Sequence, residues 1–253
     1  MNIQGTSAIV TGAASGLGAA TARLLAGRGA KVAVFDLNAA EGQAVADEIG
    51  GLYFQVDVTD EDSVEAGLNG AETAHGAARI LVNCAGIAPA IKTVGREAKP
   101  HPIDAFRKAV EINLVGTFLV LSRFSARLQG AEPVGEERGV IVNTASIAAF
   151  DGQIGQAAYA ASKAGVAGLT LPVARELAAS KIRVVTIAPG LFWTPMLAGL
   201  PQAAQDSLGQ QAPHPNRLGQ PSEYAQLVEA IVTNPMLNGE TIRLDAALRM
   251  APR

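Results

Sequence analysis

Cysteine is almost absent from this chain. Cys84 stands alone, which excludes an internal disulfide framework and a cysteine-rich zinc site and fits a reducing compartment. Histidine is equally sparse: His75, His101 and His214 are far apart and make no metal-ligand spacing, so no metal site is expected. Basic excess is lacking too. The 20 Lys and Arg are outnumbered by 23 Asp and Glu, with no dense basic run, and this argues against nucleic acid as a partner. No uninterrupted apolar run reaches the roughly 20 residues that span a bilayer, so no membrane segment is expected. The opening "MNIQGTSAIVTG" enters a strand pattern within a few residues, without a basic n-region or an amphipathic leader. A cytoplasmic location is the expectation.

What is present is a regular alternation. Short apolar runs recur at "SAIVT" (7–11), "KVAVFD" (31–36), "LYFQVD" (52–57), "ILVNCAG" (80–86), "GVIVNTAS" (139–146), "IRVVTIAPG" (182–190) and "ETIRLD" (240–245). Most are apolar on both sides of the pleat, as parallel strands covered on both faces must be. Between them, 17–28, 39–49, 103–128, 156–179 and 222–232 carry helical periodicity. This predicts an α/β fold, a single-domain Rossmann-type doubly wound parallel sheet of seven strands with helices on both faces. No linker or repeat divides the chain, so residues 1–253 are read as one dinucleotide-binding and catalytic domain. Two segments interrupt the rhythm, 87–102 and 188–221. Both follow strands, on the side where open α/β sheets bind ligands, and the second is expected to be a substrate loop.

"VTGAASGLGAA" lies between the first strand and the first helix. Gly12, Gly16 and Gly18 suit a tight turn, close approach of backbone to a pyrophosphate, and close helix–strand packing. Ser15 and Leu17 fall within the same turn and are expected to touch the cofactor. Asp36 ends the second strand, where a carboxylate accepts the adenosine ribose hydroxyls and repels a 2′-phosphate. NAD is therefore the expected cofactor, in preference to NADP. Asp57 and Val58, after the third strand, are placed to meet the adenine. Ala85 and Gly86, after the fourth, leave room for the ribose. Cys84 reads as a small packed residue beside the cofactor, since no His or Lys accompanies it in sequence.

With "TGAASGLG", "NCAG", "NTAS", "YAASK" and "APG" in order, the chain resembles the short-chain dehydrogenase/reductase family from end to end. "NTASIAAFDGQIGQAAYAASKAG" and "NPMLNGETIRLD" are most similar to members that oxidise 3-hydroxyacyl-CoA. Hydroxysteroid and other secondary-alcohol dehydrogenases are the alternative, and a non-catalytic NAD-bound scaffold a more distant one. One departure is Arg79, where many members carry an acid.

The resemblance gives the spacing of "YAASK" a chemical meaning. Tyr159 and Lys163 sit one helical turn apart on one face. Tyr159 is the expected base, with Lys163 lowering its pKa and binding the nicotinamide ribose. Ser146 is the expected second donor to the substrate oxygen. By resemblance, Asn113 holds a water that links Lys163 to solvent, and Phe192 and Thr194 meet the nicotinamide end. Gln156 reads either as a donor to a thioester carbonyl or as a plain helix-start residue. Lys92, Arg96 and Lys99 read as solvated charges rather than as contacts to coenzyme A phosphates. The expected partner is a small-molecule acyl-CoA or other secondary alcohol. The resemblance also implies a homotetramer built on the long helices 103–128 and 156–179.

Overall fold

The computed structural model describes residues 1–194 and 202–252, leaving aside the side chains of 203–206. Seven strands, β1 (Ser7–Thr11), β2 (Lys31–Asp36), β3 (Leu52–Gln55), β4 (Ile80–Asn83), β5 (Gly139–Thr144), β6 (Ile182–Pro189) and β7 (Thr241–Leu244), form one parallel sheet. Their order is β3-β2-β1-β4-β5-β6-β7. The chain starts mid-sheet, winds out to β3, returns beside β1 at β4, and winds out the other way. The reversal between β1 and β4 opens the crevice in which such sheets hold ligands.

Period-two alternation sends neighbouring residues to opposite layers. Val10, Val34, Val82 and Val142 face α1 (Gly16–Gly27), α2 (Ala39–Ile49) and α8 (Pro221–Thr233). Ile9, Phe35, Leu81 and Ile141 face α3 (Glu61–His75), α5 (Gly116–Leu128) and α6 (Ala157–Leu177). Each layer is a separate apolar core. Toward the carboxyl ends the apolar rows stop. Thr11, Asn83, Asn143, Thr186 and Thr241 stand in register across five strands. Asn83 Nδ2 donates to Asn143 Oδ1 at 2.9 Å, and the hydroxyls of Thr170 and Thr186 meet at 2.5 Å. That polar row is the floor of the site.

Most of the expected strands end early. Observed β3, β4, β5, β6 and β7 stop one to three residues before the sequence pattern does, because the chain turns out of the sheet to build the ligand side. The expected helix 103–128 is α4 (Ile103–Val110), a π-helical turn (Glu111–Val115) and α5. Two helices were not anticipated. One is α3; the other is α7 (Gln202–Gly209), inside the segment read as loop. Residues 195–201 of the expected substrate loop lie outside the described residues.

No unbroken apolar run reaches the length that spans a bilayer, yet among the described residues one helix passes on length and average hydropathy. Ile103–Leu128 is long enough to cross a membrane, and its most apolar 18-residue window has a mean hydropathy of 1.3. The sequence breaks the stretch with Asp104, Arg107, Lys108, Glu111, Arg123 and Arg127, which hides it from a search for unbroken runs. In the fold, 44% of that window is buried inside the protein, because α5 is the core helix on β4 and β5. Arg79, the departure from the family pattern, donates from Nη1 to the Arg138 carbonyl at 3.0 Å, at the end of the sheet remote from the site.

Candidate active site

The glycine turn is shaped by contacts a side chain would block. Gly12 has φ +62°, and a Cβ there would lie 2.7 Å from Ala85 Cα, so the loops after β1 and β4 touch at the crevice. A Cβ on Gly18 would lie 2.2 Å from the Gly12 carbonyl oxygen, which holds α1 hard against the turn. Ser15 is the N-cap of α1, exposed, with no capping bond from its side chain and no acid in the first turn. The leading N–H groups of α1 thus keep their hydrogen-bonding capacity and positive dipole end for an anion. Leu17, by contrast, packs against the core beneath.

Asp36 reaches the same turn. Its Oδ2 accepts from Ala14 N at 2.9 Å and its Oδ1 from Asn38 N at 2.9 Å. Asp57 Oδ1 takes both the N–H and the hydroxyl of Thr59, at 2.9 and 2.7 Å, which shapes the turn into α3. Val58 is buried against Gly116, where a Cβ would come within 2.8 Å of its Cγ2. Gly86 opens onto the chemistry: a Cβ there would stand 2.9 Å from Asn113 Oδ1 and 3.4 Å from Lys163 Nζ. The turn, the uncapped helix start and this opening fit a dinucleotide lying from β2 across β1 to β4.

Tyr159 and Lys163 project from α6 toward the end of β5. Ser146 follows that strand and caps a short 3₁₀ turn, its Oγ accepting from Ala148 N at 3.1 Å. The Ser146 hydroxyl acts on the Tyr159 phenol in favour of its ionised form. Burial acts the other way and is stronger, so in this chain the Tyr159 pKa is raised. Lys163 is not among the groups that set this balance. Lys163 does not bond the phenol; its Nζ donates to the Thr144 carbonyl at 2.7 Å. Burial pushes the Lys163 pKa down to about 8, with Cys84 opposing the shift. Only one Nζ hydrogen is engaged, leaving two for ribose hydroxyls.

Asn113 is fully buried in the π-helical turn. Its Oδ1 accepts from Ile87 N at 2.8 Å, and its Nδ2 donates to Ile87 O at 2.8 Å and Ser162 Oγ at 3.0 Å. Both amide hydrogens are committed, so this side chain has none to give the expected relay water; it clamps the loop after β4 to α6. Gln156 is the N-cap of α6, and its Oε1 accepts from Gln153 N at 3.0 Å. That bond leaves Nε2 as the end that could donate to a carbonyl.

Two of the remaining expectations change. Phe192 is buried with its ring packed on Gly219, whose Cβ would sit 2.7 Å from the ring, so it supports the loop from below. Thr194 is half-buried at the last described position before residue 195. A cavity of about 340 Å³ beside this segment is lined by Trp193, Gln202, Gly209, Asn216, Arg217 and Leu218. Cys84 is not merely an apolar filler: its Sγ lies 3.7 Å from Tyr224 Oη and 3.5 Å from Thr144 Oγ1, and burial raises its pKa. Thr144 and Tyr224 escaped the sequence reading. Thr144 lies two residues before Ser146 in "NTAS", a positional hint, whereas Tyr224 carries no local signal. Among the described residues, no group of three His, Cys, Asp or Glu could hold a metal.

Fold and site together define a Rossmann-type oxidoreductase that binds a nicotinamide dinucleotide and acts on CH–OH groups. The chain belongs to the short chain dehydrogenase family, whose model matches residues 6–205. It is 53% identical to a 3-hydroxyacyl-CoA dehydrogenase type-2 of Drosophila melanogaster, over 99% of this chain and 100% of that protein. The Homo sapiens protein of the same description is 49% identical, over 99% and 98%. A crystal structure of 3-hydroxyacyl-CoA dehydrogenase type-2 from Mycobacterium avium superposes with a TM-score of 0.94 at 43% identity, covering 98% of each chain.

Proposed function

We propose that this chain catalyses the NAD-dependent oxidation of the 3-hydroxyl of short or branched 3-hydroxyacyl-CoA to the 3-oxoacyl-CoA. The observation that carries the reading is the convergence of Ser146, Tyr159 and Lys163 at the end of β5, beside the opening at Gly86. Bound NAD supplies the hydride acceptor. The chain's own groups handle the oxygen and the proton. Ser146 donates to the substrate oxygen as it gains negative charge. Tyr159 takes the hydroxyl proton, and the Lys163 ammonium offsets the burial that otherwise keeps the phenol protonated. Asp36 supports NAD over NADP, since a carboxylate at the end of the second strand repels a 2′-phosphate. The nearly complete matches to 3-hydroxyacyl-CoA dehydrogenase type-2 proteins support the acyl-CoA substrate. Gln156 Nε2 is the candidate donor to the thioester carbonyl.

The same reading includes a homotetramer in a reducing, cytoplasmic compartment. Val115 and Phe118 at α5 and Leu171 on α6 are 42, 50 and 44% exposed, an apolar surface that association would cover. Light scattering on the purified protein tests this, and a monomer at micromolar concentration would reject it. For activity, NAD reduction is measured with 3-hydroxybutyryl-CoA, 2-methyl-3-hydroxybutyryl-CoA and a hydroxysteroid. Preference for the thioesters supports the proposal. Turnover of the steroid alone moves the enzyme to the hydroxysteroid class, and NAD binding without turnover of any alcohol favours a scaffold.

A further inference from the structure

We propose that Tyr224, on the far face of the sheet from the reacting groups, is a positioning residue that acts through Thr144 to aim Lys163. The inference rests on Tyr159 and Lys163 working as proposed above. Lys163 comes from α6 in one layer, and Tyr224 from α8 in the other. Thr144 joins them through the end of β5. Its carbonyl receives Lys163 Nζ at 2.7 Å, while its Oγ1 lies 2.7 Å from Tyr224 Oη and 2.6 Å from the Asn83 carbonyl.

The direction of these bonds follows from counting hydrogens. A carbonyl only accepts, so the Thr144 hydroxyl donates to Asn83 O and the Tyr224 hydroxyl donates to Thr144 Oγ1. The Cys84 thiol then donates to Tyr224 Oη across 3.7 Å. One chain of hydrogen bonds runs from Cys84 through Tyr224 and Thr144 to the Asn83 carbonyl, with each proton used once. Burial holds the Tyr224 pKa well above its ordinary value, so the phenol stays a donor. The next peptide is pinned as well, since Ala145 N donates to Ile187 O at 2.8 Å.

This matters because Lys163 has no carboxylate partner among the described residues and makes one hydrogen bond. Where its amine points is set by where the Thr144 carbonyl points. Removing the Tyr224 hydroxyl leaves Thr144 Oγ1 and the Cys84 thiol mismatched in a buried place, and the strand end relaxes. Misplacement by a fraction of an ångström lowers turnover more than it lowers binding.

The test uses Tyr224→Phe, with 3-hydroxybutyryl-CoA and NAD as probes. The expected result is kcat down about tenfold, with KM for both probes within about twofold and the thermal midpoint lowered by only a few degrees. Thr144→Val should behave in the same way, and Thr144→Ser, which keeps the hydroxyl, should restore kcat to within about twofold. Unchanged kcat in Tyr224→Phe overturns the inference, as does a rise in KM alone. If Tyr224→Phe and Thr144→Val both fail to fold while Thr144→Ser folds, the hydroxyls serve stability and the inference is again overturned. Tyr159→Phe, assayed beside them, reports on the parent reading. Full turnover there removes the reading and the inference together. An inactive Tyr159→Phe with a normal Tyr224→Phe removes the inference alone.

Discussion

Lys163 and Arg183 are both buried cations at opposite ends of one sheet, and their surroundings differ. Arg183, at the amino end, donates to Glu137 at 2.7 Å and to the carbonyls of Ile231, Val232 and Leu237 at 2.8–3.0 Å. Glu137 also accepts from the Met1 ammonium at 2.9 Å. Burial by itself would raise the Glu137 pKa, but the bonds from Arg183 and the amine outweigh it and the pKa falls. Lys163, at the carboxyl end, has one carbonyl and, among the described residues, no counter-charge, and its pKa falls to about 8. The paired cluster closes α8 onto the sheet. The ammonium, without a carboxylate partner among the described residues, carries its charge in a place where desolvation opposes it, which suits the role proposed for it beside a phenolate and a cofactor.

The comparison can be broken from either end. Tyr159→Phe removes the group that Lys163 is proposed to serve, and kcat for 3-hydroxybutyryl-CoA should fall by roughly 10²–10⁴-fold with the fold intact. Residual activity near that of the parent would mean the carboxyl-end charge serves something else. Glu137→Gln attacks the other end. It leaves Arg183 and the Met1 amine short of charge compensation and should cost roughly 3 kcal/mol in denaturant unfolding, with kcat per folded molecule unchanged. A stable variant would show the amino-end cluster to be incidental.

Lys163→Met sharpens the contrast, since it should abolish turnover yet raise stability at pH 7 by roughly 1–3 kcal/mol. The sign follows from linkage. The Lys163 pKa is depressed in the folded state, so unfolding takes up a proton between the two pKa values and stability rises with pH there. The cost of the buried charge is fully present below about pH 8 and is relieved toward the ordinary lysine value. The stability gap between the variant and the parent should therefore narrow between pH 7 and pH 10, and a constant gap would count against an uncompensated charge. The smallest effect is expected at the other side of the crevice. Asp36→Ala should shift the NAD-to-NADP ratio of kcat/KM by about tenfold toward NADP, equivalent to about 1.4 kcal/mol. An unchanged ratio would remove the basis for NAD.

The carboxyl end was far more legible in the sequence than the features that hold it in place. Strand–glycine turn–helix is a contiguous pattern, and Tyr159 with Lys163 needs only helical spacing. Helix α3 was not anticipated, and it carries Gly67 and Gly70, a residue type that disfavours helix. In the fold they let the helix lie on the sheet: a Cβ on Gly67 would meet Val56 Cγ2 at 2.5 Å, and one on Gly70 would meet Phe54 Cε1 at 2.3 Å. The Asn113 clamp depends on a π-helical turn, which spacing does not announce. Tyr224 looks like one more apolar residue on an amphipathic helix until its hydroxyl is seen against Thr144.

The chain's own order of residues determined the strand count, the layered α/β plan, the glycine turn and the chemical types gathered at the site, because each is written in local periodicity or short spacing. Only the tertiary structure decided where the Lys163 amine points, which groups are left unpaired, and how a tyrosine 80 residues from Thr144 comes to touch it. Hydrogen-bond direction and desolvation depend on what is packed around a group in space, and neighbours along the chain do not specify that.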